Sequence, residues 1–307
     1  MTPRAKEIIS WYPTLTVWQR KNLERLLSYG RLGGTGKFVI LPVDQGFEHG
    51  PGRSFEPNPA GYDPLYHAQL AVDAGCNAYA APLGALEAAS EIIAKHDLPT
   101  ILKVNNHDLL MPDDADPKPA ITSWVEDAVR LKCAAVGFTI YPGSVHATEL
   151  YQQVRQLVAD ANAAGLLVVV WSYPRGSGLP SKEAETAVDV VAYAVHIAAQ
   201  LGAHIIKCKP TKAVIGLADN VKRGIYKDKP IDTLADRTKL VMQAAFGGKR
   251  IVINSGGDTK ETAELLAEVR QLHAGGSFGS IVGRNAFQRP EAEAIKLLND
   301  IQDIYAA

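Results

Sequence analysis

The sequence has few cysteines, little net charge and no long apolar run, and each of these deficits excludes a class of protein. Its 3 cysteines are odd in number and lack Cys-x-x-Cys spacing, so neither a disulfide framework nor a cysteine zinc site is expected. The formal net charge of −1 gives no overall attraction to nucleic acid or to membrane lipids. No apolar run approaches the ~18 residues of a membrane span, and the amino terminus lacks a signal-peptide core. We therefore expect a cytoplasmic protein that binds neither nucleic acid nor membrane.

Metal and dinucleotide sites are not expected either. The 8 histidines are scattered along the chain, without the close pairs that metal-binding motifs contain. The turn after the first apolar run reads DQGFEHG, where a dinucleotide-binding sheet would carry Gly-x-Gly-x-x-Gly. We predict no metal and no organic cofactor.

Apolar and helix-type segments alternate regularly along the chain. Eight short apolar runs end in polar, glycine or proline residues, at positions 38–44, 76–82, 100–105, 134–142, 166–174, 203–209, 250–256 and 280–285. Segments of helical period lie between them, for example at 66–74, 147–164, 184–201, 259–274 and 290–305. Strands that are apolar on both faces and alternate with helices indicate a parallel sheet covered on both sides. Eight such units fit a (β/α)8 TIM barrel, and an open doubly wound sheet is the alternative.

An extra helix is expected before the barrel, since Thr16 and Gln19 have the spacing of a capping box and Gly30 can end the helix. No repeat, low-complexity tract or linker interrupts the chain, so residues 1–307 are predicted to form a single domain. Two connections, 107–122 and 210–232, exceed the usual ~2–6 residues. Each follows a predicted strand, and we interpret them as lids or subunit contacts.

The sixth apolar run ends in two lysines, within AHIIKCKP. Side chains alternate along a strand, so Ile205, Lys207 and Lys209 share one face. A second cation on the same face lowers the pKa of the first lysine, and the resulting free amine can form a Schiff base. Taken alone, two solvated lysines at the end of a strand would be the more common interpretation. The other strand ends favour an active site.

The carboxyl ends of all barrel strands meet at one face, where barrel enzymes place their chemistry. Asp44 ends the first run and Tyr173 lies near the end of the fifth. Each has an ordinary alternative, Asp44 as a turn residue and Tyr173 as a core aromatic. With Lys207 they bring a carboxylate, a phenol and an amine to the same face.

Glycines after the seventh run and a basic residue after the eighth are typical of the phosphate site of a barrel. Backbone N–H groups at Gly256 and Gly257 can approach an anion closely because no Cβ intervenes. Arg284 adds a fork of donors for phosphate oxygens. Turn punctuation is the ordinary alternative for the two glycines.

Six motifs, in order, resemble the archaeal-type class I fructose-1,6-bisphosphate aldolases, which also occur in bacteria. They are DQGFEHGP, TIYPGS, VVWSYPRG, IIKCKP, INSGG and VGRNAFQR. The similarity runs from about Phe38 to the end of the chain and looks most like the bacterial branch.

The resemblance implies a cofactor-free Schiff-base aldolase that reversibly cleaves fructose 1,6-bisphosphate to dihydroxyacetone phosphate and glyceraldehyde 3-phosphate. It implies that Lys207 is the Schiff-base lysine, Tyr173 the acid/base group and Asp44 its acidic partner. The substrate-binding residues that we assign on this basis are Trp171, Arg175, Lys209, Ser255, Gly256, Gly257, Gly283 and Arg284. Gln45 stands where archaeal members often have histidine, and an amide cannot titrate.

Two other functions stay open. A sister aldol or acyl transferase would use the same lysine on another phosphorylated keto-sugar. A phosphosugar-binding protein that has lost turnover is the second alternative, although a pure binder has no need of Lys207, Tyr173 and Asp44 together. The resemblance further implies a homo-oligomer, often a decameric ring.

Overall fold

The computed structural model describes residues 1–112, 115–257 and 259–307. Its strands are β1 Phe38–Pro42, β2 Ala78–Ala81, β3 Thr100–Lys103, β4 Asn105–Asn106, β5 Ala120–Ile121, β6 Ala135–Ile140, β7 Leu167–Ser172, β8 Ile205–Cys208, β9 Ile251–Ser255 and β10 Gly279–Ile281. Eight of them close a barrel in the order β1-β10-β9-β8-β7-β6-β3-β2, with every neighbouring pair parallel. The strands β4 and β5 form a separate antiparallel pair.

Helices separate the barrel strands along the chain. The α-helices are α1 Pro3–Ser10, α2 Val17–Ser28, α3 Gln45–Glu48, α4 Pro51–Phe55, α5 Pro64–Asp73, α6 Leu83–Ala88, α7 Ser90–Lys95, α8 Val125–Arg130, α9 Ala147–Ala164, α10 Val188–Gln200, α11 Ala218–Arg223, α12 Leu234–Ala244, α13 Thr262–Ala274, α14 Arg284–Phe287 and α15 Glu291–Ala306. Short 3-10 helices span Pro59–Tyr62 and Glu183–Thr186. No helix in the described ranges has both the length and the hydropathy to cross a bilayer.

The predicted (β/α)8 barrel is confirmed, and each of the eight apolar runs overlaps a barrel strand, although β10 begins one residue before its run. The barrel residues of β1, β6 and β7 are buried along their whole length, which explains why both faces of these strands are apolar. The strands end earlier than the runs because the last residues of each run turn into the loops at the carboxyl end. The predicted helix 184–201 is divided into a 3-10 turn and α10, and Pro290 is the N-cap of α15 rather than its first residue.

The amino-terminal helices close the other end of the barrel. Thr16 and Gln19 form the predicted capping box, with reciprocal side-chain to backbone hydrogen bonds of 3.2 and 3.0 Å. The helix α1 was not predicted. The Tyr12 hydroxyl, just after α1, donates to the His204 carbonyl at 2.7 Å and accepts from the Ile251 amide at 3.0 Å. These bonds tie the amino-terminal segment to β8 and β9.

The two long connections both have internal structure. Asp189 in α10 accepts hydrogen bonds from the amides of Gly216 and Leu217 and from the side chain of Asn220, at 2.8 to 3.0 Å. The 210–232 connection is therefore anchored to α10. The 107–122 connection includes β5, and its residues 113 and 114 lie outside the described part of the chain. A role for either connection as a lid or subunit contact stays a prediction.

Candidate active site

Lys207 lies in β8, inside the barrel, and its side chain is almost completely buried. Its Nζ is 5.2 Å from the ring centre of Trp171 on β7 and 5.6 Å from that of Tyr173. Within the described part of the chain, the ammonium group makes no hydrogen bond or ion pair. Burial, which disfavours the charged form, is the main reason that the pKa of Lys207 falls from 10.5 to about 8. Roughly a tenth of the amine is then unprotonated at pH 7.

A cavity of about 660 Å³ opens above Lys207 at the carboxyl end of the barrel. Its lining contains every residue that the sequence assigned to catalysis or substrate binding: Asp44, Trp171, Tyr173, Arg175, Lys207, Lys209, Ser255, Gly256, Gly257, Gly283 and Arg284. The fold thus brings these positions, which belong to five barrel strands or the loops after them, into one concave site. Their individual roles stay predictions.

Tyr173 and Asp44 place a phenol and a carboxylate near the amine. Asp44 follows β1 and is buried, at 4% exposure. Burial, reinforced by the negative charges of Asp44 and Glu48, holds the pKa of the Tyr173 phenol well above its usual value, while the Ser255 hydroxyl acts in the opposite direction. Tyr173 is therefore a neutral phenol that can donate a proton.

The turns after β9 and β10 form one wall of the cavity. Asn285 links them, because its Nδ2 donates to the Gly256 carbonyl at 3.2 Å and its Oδ1 accepts from the Lys260 amide at 2.8 Å. A Cβ on Gly283 would lie 2.7 Å from Gln45 Nε2 and 2.9 Å from the Pro42 carbonyl oxygen, so only glycine fits there. Sequence reasoning missed Asn285, although it lies within the VGRNAFQR motif. Asp258, which follows Gly256 and Gly257, lies outside the described residues.

Gln45 packs directly against this wall. Its Nε2 is the atom that a side chain at Gly283 would meet, and its buried Oε1 has no hydrogen-bond partner among the described residues. An amide donor at this position is suited to a phosphate oxygen rather than to proton transfer. His49, also in the lining, has a pKa lowered to about 4, mainly by burial and by the charges of Arg284 and Arg53. It is a neutral imidazole at physiological pH.

Two charged residues near Lys207 were not identified from the sequence: Glu48, which lines the cavity, and Lys103 on β3. Lys103, the last residue of β3, is 1% exposed, and its Nζ lies 3.3 Å from Glu48 Oε1. Lys103 also donates a hydrogen bond to the Asn105 carbonyl. The signal that could have found it is the one that singled out Lys207, a lysine at the end of an apolar run.

The expected effect of Lys209 on Lys207 needs correction. The cations that lower the pKa of Lys207 most are Lys103 and Arg284, and Lys209 is not among the strongest influences. Lys209 instead lies 3.5 Å from the Glu185 carboxylate, which offsets its charge. Strand alternation placed Lys209 on the correct face, but it could not show that a carboxylate from another segment would neutralise it.

A second group of cations lines the outer part of the cavity. Arg175 lies 5.4 Å above the Tyr141 ring, and its buried Nε has no hydrogen-bond partner among the described residues. The charge of Arg175 contributes to lowering the pKa of Lys209, so the two cations are near each other. Lys182, Lys212 and Arg237 complete this group. In the described ranges, no three histidine, cysteine or acidic side chains are placed to hold a metal ion.

Comparisons with known proteins agree with this arrangement. A family model described as DeoC/LacD family aldolase matches residues 38–289. A probable fructose-bisphosphate aldolase class 1 of Chlamydia trachomatis is 38% identical over 293 residues, which cover 93% of this chain and 84% of the relative. The fructose-bisphosphate aldolase class 1 of Thermoproteus tenax is 35% identical over 258 residues, or 84% of this chain and 86% of the relative.

A solved structure supports the same relationship. It is an archaeal fructose-1,6-bisphosphate aldolase whose catalytic lysine is covalently bound to the carbinolamine intermediate of its substrate. It superposes with a TM-score of 0.76 at 31% identity and covers 92% of this chain and 99% of its own.

Proposed function

The chain belongs to the DeoC/LacD family of aldolases, and we propose that it is a class I fructose-1,6-bisphosphate aldolase whose Schiff-base lysine is Lys207. The observation that carries the proposal is a buried lysine with a pKa lowered to about 8, in a cavity with cations on two sides. The names of the curated relatives supply the substrate. The protein is a lyase that needs no cofactor, because the lysine itself provides the electron sink.

The first step is attack of the free Lys207 amine on the C2 ketone of open-chain fructose 1,6-bisphosphate. A proton moves from nitrogen to oxygen and gives the neutral carbinolamine. Tyr173 then donates its phenolic proton to the C2 hydroxyl, which leaves as water. The products are a cationic iminium on Lys207 and a Tyr173 phenolate, and the two opposite charges stabilise each other.

Carbon–carbon cleavage follows from this pair of charges. The C3–C4 electrons flow into the iminium and give an enamine, while the phenolate of Tyr173 takes the proton of the C4 hydroxyl. Glyceraldehyde 3-phosphate leaves as the aldehyde, and Tyr173 is again a phenol. Protonation of the enamine at C3 by Tyr173 and addition of water release dihydroxyacetone phosphate and restore the amine. Asp44 supplies a fixed negative charge that stabilises the iminium.

The two cationic regions suit the two phosphates. The turns after β9 and β10 offer Ser255, backbone amides and Arg284 to one phosphate, with Gln45 beside them. We assign the other phosphate to Arg175 and Lys209, two cations of the cavity lining that lie near each other. Binding both ends of the ketose fixes C2 next to Lys207, so remote binding energy serves the reaction.

Borohydride reduction in the presence of dihydroxyacetone phosphate, followed by peptide mapping, tests the assignment. We expect a stable adduct on Lys207 and none in the Lys207→Met variant. An adduct on another lysine, or no adduct in the wild type, would refute the role of Lys207. Product analysis with fructose 1,6-bisphosphate separates the aldolase from the sister transferase, which would leave that substrate uncleaved.

A homo-oligomer in the cytoplasm, with a decamer as one form, is part of the proposal. The three cysteines are free and buried, which suits a reducing compartment. Large apolar side chains are exposed in the long connections, among them Leu110 at 96% and Val221 at 63%. Such side chains are suited to subunit contacts. Light scattering during size-exclusion chromatography measures the assembly, and a monomer at micromolar concentration would contradict this part.

A further inference from the structure

We propose that Lys103 and Glu48 form a buried charge pair that controls how readily Lys207 loses its proton. The inference rests on the proposed function of Lys207 and assigns Lys103 and Glu48 as positioning residues. It concerns Glu48, which lines the cavity, and Lys103, whose Nζ lies 5.6 Å from the ring centre of Trp171.

The first observation is that the amino group of Lys103 has two polar partners inside the barrel. Its side chain is 1% exposed, which is unfavourable for an ammonium group unless partners are present. Glu48 Oε1 at 3.3 Å and the Asn105 carbonyl accept from it. Asn105 is itself fixed, because its side chain bonds to both the amide and the carbonyl of Thr139 on β6, at 2.7 and 2.9 Å. The charge of Lys103 therefore has a fixed position.

The second observation is that Lys103 and Lys207 share one aromatic ring. Their Nζ atoms lie 5.6 and 5.2 Å from the ring centre of Trp171. The ring is 1% exposed, so little water separates the two ammonium groups. Charges in such surroundings interact more strongly than they would in water. The positive charge of Lys103 favours the neutral amine of Lys207.

Other charges act on Lys207 from the neighbouring segments, and Glu48 is one that opposes Lys103. Negative charges favour the protonated amine, and positive charges favour the neutral one. The charged and titratable groups facing this region are Asp44 and Glu48 after β1, Lys103 on β3, Tyr141 after β6, Tyr173 after β7, Lys209 after β8 and Arg284 after β10. Lys103 and Glu48 contribute opposite effects, so their removal should move the proton equilibrium of Lys207 in opposite directions.

Two single variants and their combination test the proposal in the full chain. The measurement is the pH dependence of kcat/KM with fructose 1,6-bisphosphate, together with the yield of borohydride adduct at each pH. Lys103→Met should move the acidic limb to higher pH by about one unit, the effect of a unit charge about 10 Å away at the effective dielectric of protein sites. Glu48→Gln should move it to lower pH. The double variant should return close to the wild-type position.

Three controls separate electrostatics from damage to the fold. Lys103→Arg keeps the positive charge, so the acidic limb of its pH profile should stay in the wild-type position. Lys296→Met removes a lysine whose side chain is 74% exposed on α15, and it should leave the limb unchanged. If Lys103→Met does not fold, the proposal is tested by the other two variants. Glu48→Gln should still move the acidic limb to lower pH, and Lys103→Arg should leave it in the wild-type position.

Two results would overturn the inference. One is an acidic limb that stays in the wild-type position in folded Lys103→Met or in Glu48→Gln. The other is a shift of the acidic limb in the same direction in both variants. If either result is found while the wild type still forms the borohydride adduct on Lys207, only the role of the charge pair is refuted. No adduct on Lys207 at any pH refutes the proposed function itself.

Discussion

Replacing Gly137 by alanine tests whether the position of Trp171 is as tightly determined as the structure indicates. Gly137 lies on β6, and a Cβ there would lie 2.3 and 2.5 Å from two carbons of the Trp171 ring and 3.3 Å from Ile101 Cγ2. The ring is buried and its Nε1 has no hydrogen-bond partner among the described residues, so packing alone positions it. An added methyl in a filled core destabilises proteins by about 1–3 kcal/mol.

The ring cannot move without consequences for the two lysines that flank it. Lys103 and Lys207 both rest against Trp171, so a displaced ring changes the surroundings of the nucleophile. We therefore expect Gly137→Ala to lower the midpoint of urea unfolding and, in addition, to reduce kcat/KM at a temperature where the variant is fully folded. Both quantities are measured on the same preparation.

A matched glycine provides the control. Gly84 lies in α6, and a Cβ there would meet no atom within 4 Å. Gly84→Ala should therefore stabilise the protein by about 0.5–1 kcal/mol and leave kcat/KM unchanged. Wild-type stability and activity in Gly137→Ala would show that the barrel interior has room for the ring to move, and the argument for a fixed Trp171 would fail.

Three further predictions concern the reaction. Below pH 8, kcat/KM should rise about tenfold per pH unit, because only the neutral amine of Lys207 attacks and its pKa is lowered to about 8; a flat profile between pH 6 and 8 would contradict this. Tyr173→Phe should lower kcat by ~10²–10⁴, and borohydride should still trap the substrate but more slowly, since the variant keeps the ring but loses the proton donor for iminium formation and cleavage; wild-type turnover would remove Tyr173 from the mechanism. Arg284→Ala should weaken inhibition by phosphorylated ketoses about tenfold or more and affect unphosphorylated analogues much less; equal losses for both would mean a structural role.

The barrel could be predicted because its signals are local. Each barrel strand is a short run of three to six residues, and those of β6 and β7 are buried over their whole length. The capping box at Thr16 is equally local, because its two partners are three residues apart. The helix α1 escaped prediction since its amphipathic pattern is short and its burial depends on packing against the bottom of the barrel.

The site could be predicted only as far as strand ends determine it. Lys207, Tyr173 and Asp44 follow from the rule that all carboxyl ends of barrel strands meet at one face. The partners of these groups come from distant segments and depend on which side chains reach across the barrel. Glu185 next to Lys209 and Glu48 next to Lys103 are such cases, separated by 24 and 55 positions in the sequence.

Three lysines at the ends of β3 and β8 show what distinguishes a nucleophile from its neighbours. Lys103 is as deeply buried as Lys207, but its amino group lies beside the Glu48 carboxylate and donates to the Asn105 carbonyl. Lys209 is half-buried and faces Glu185. Among the described residues, no carboxylate or carbonyl holds the ammonium of Lys207, and its burial therefore disfavours the charged form. A sequence shows that all three end apolar strands, whereas the absence of a partner for one of them exists only in the folded barrel. That absence, together with the fixed charge of Lys103 nearby, makes Lys207 the amine that can attack a ketone at neutral pH.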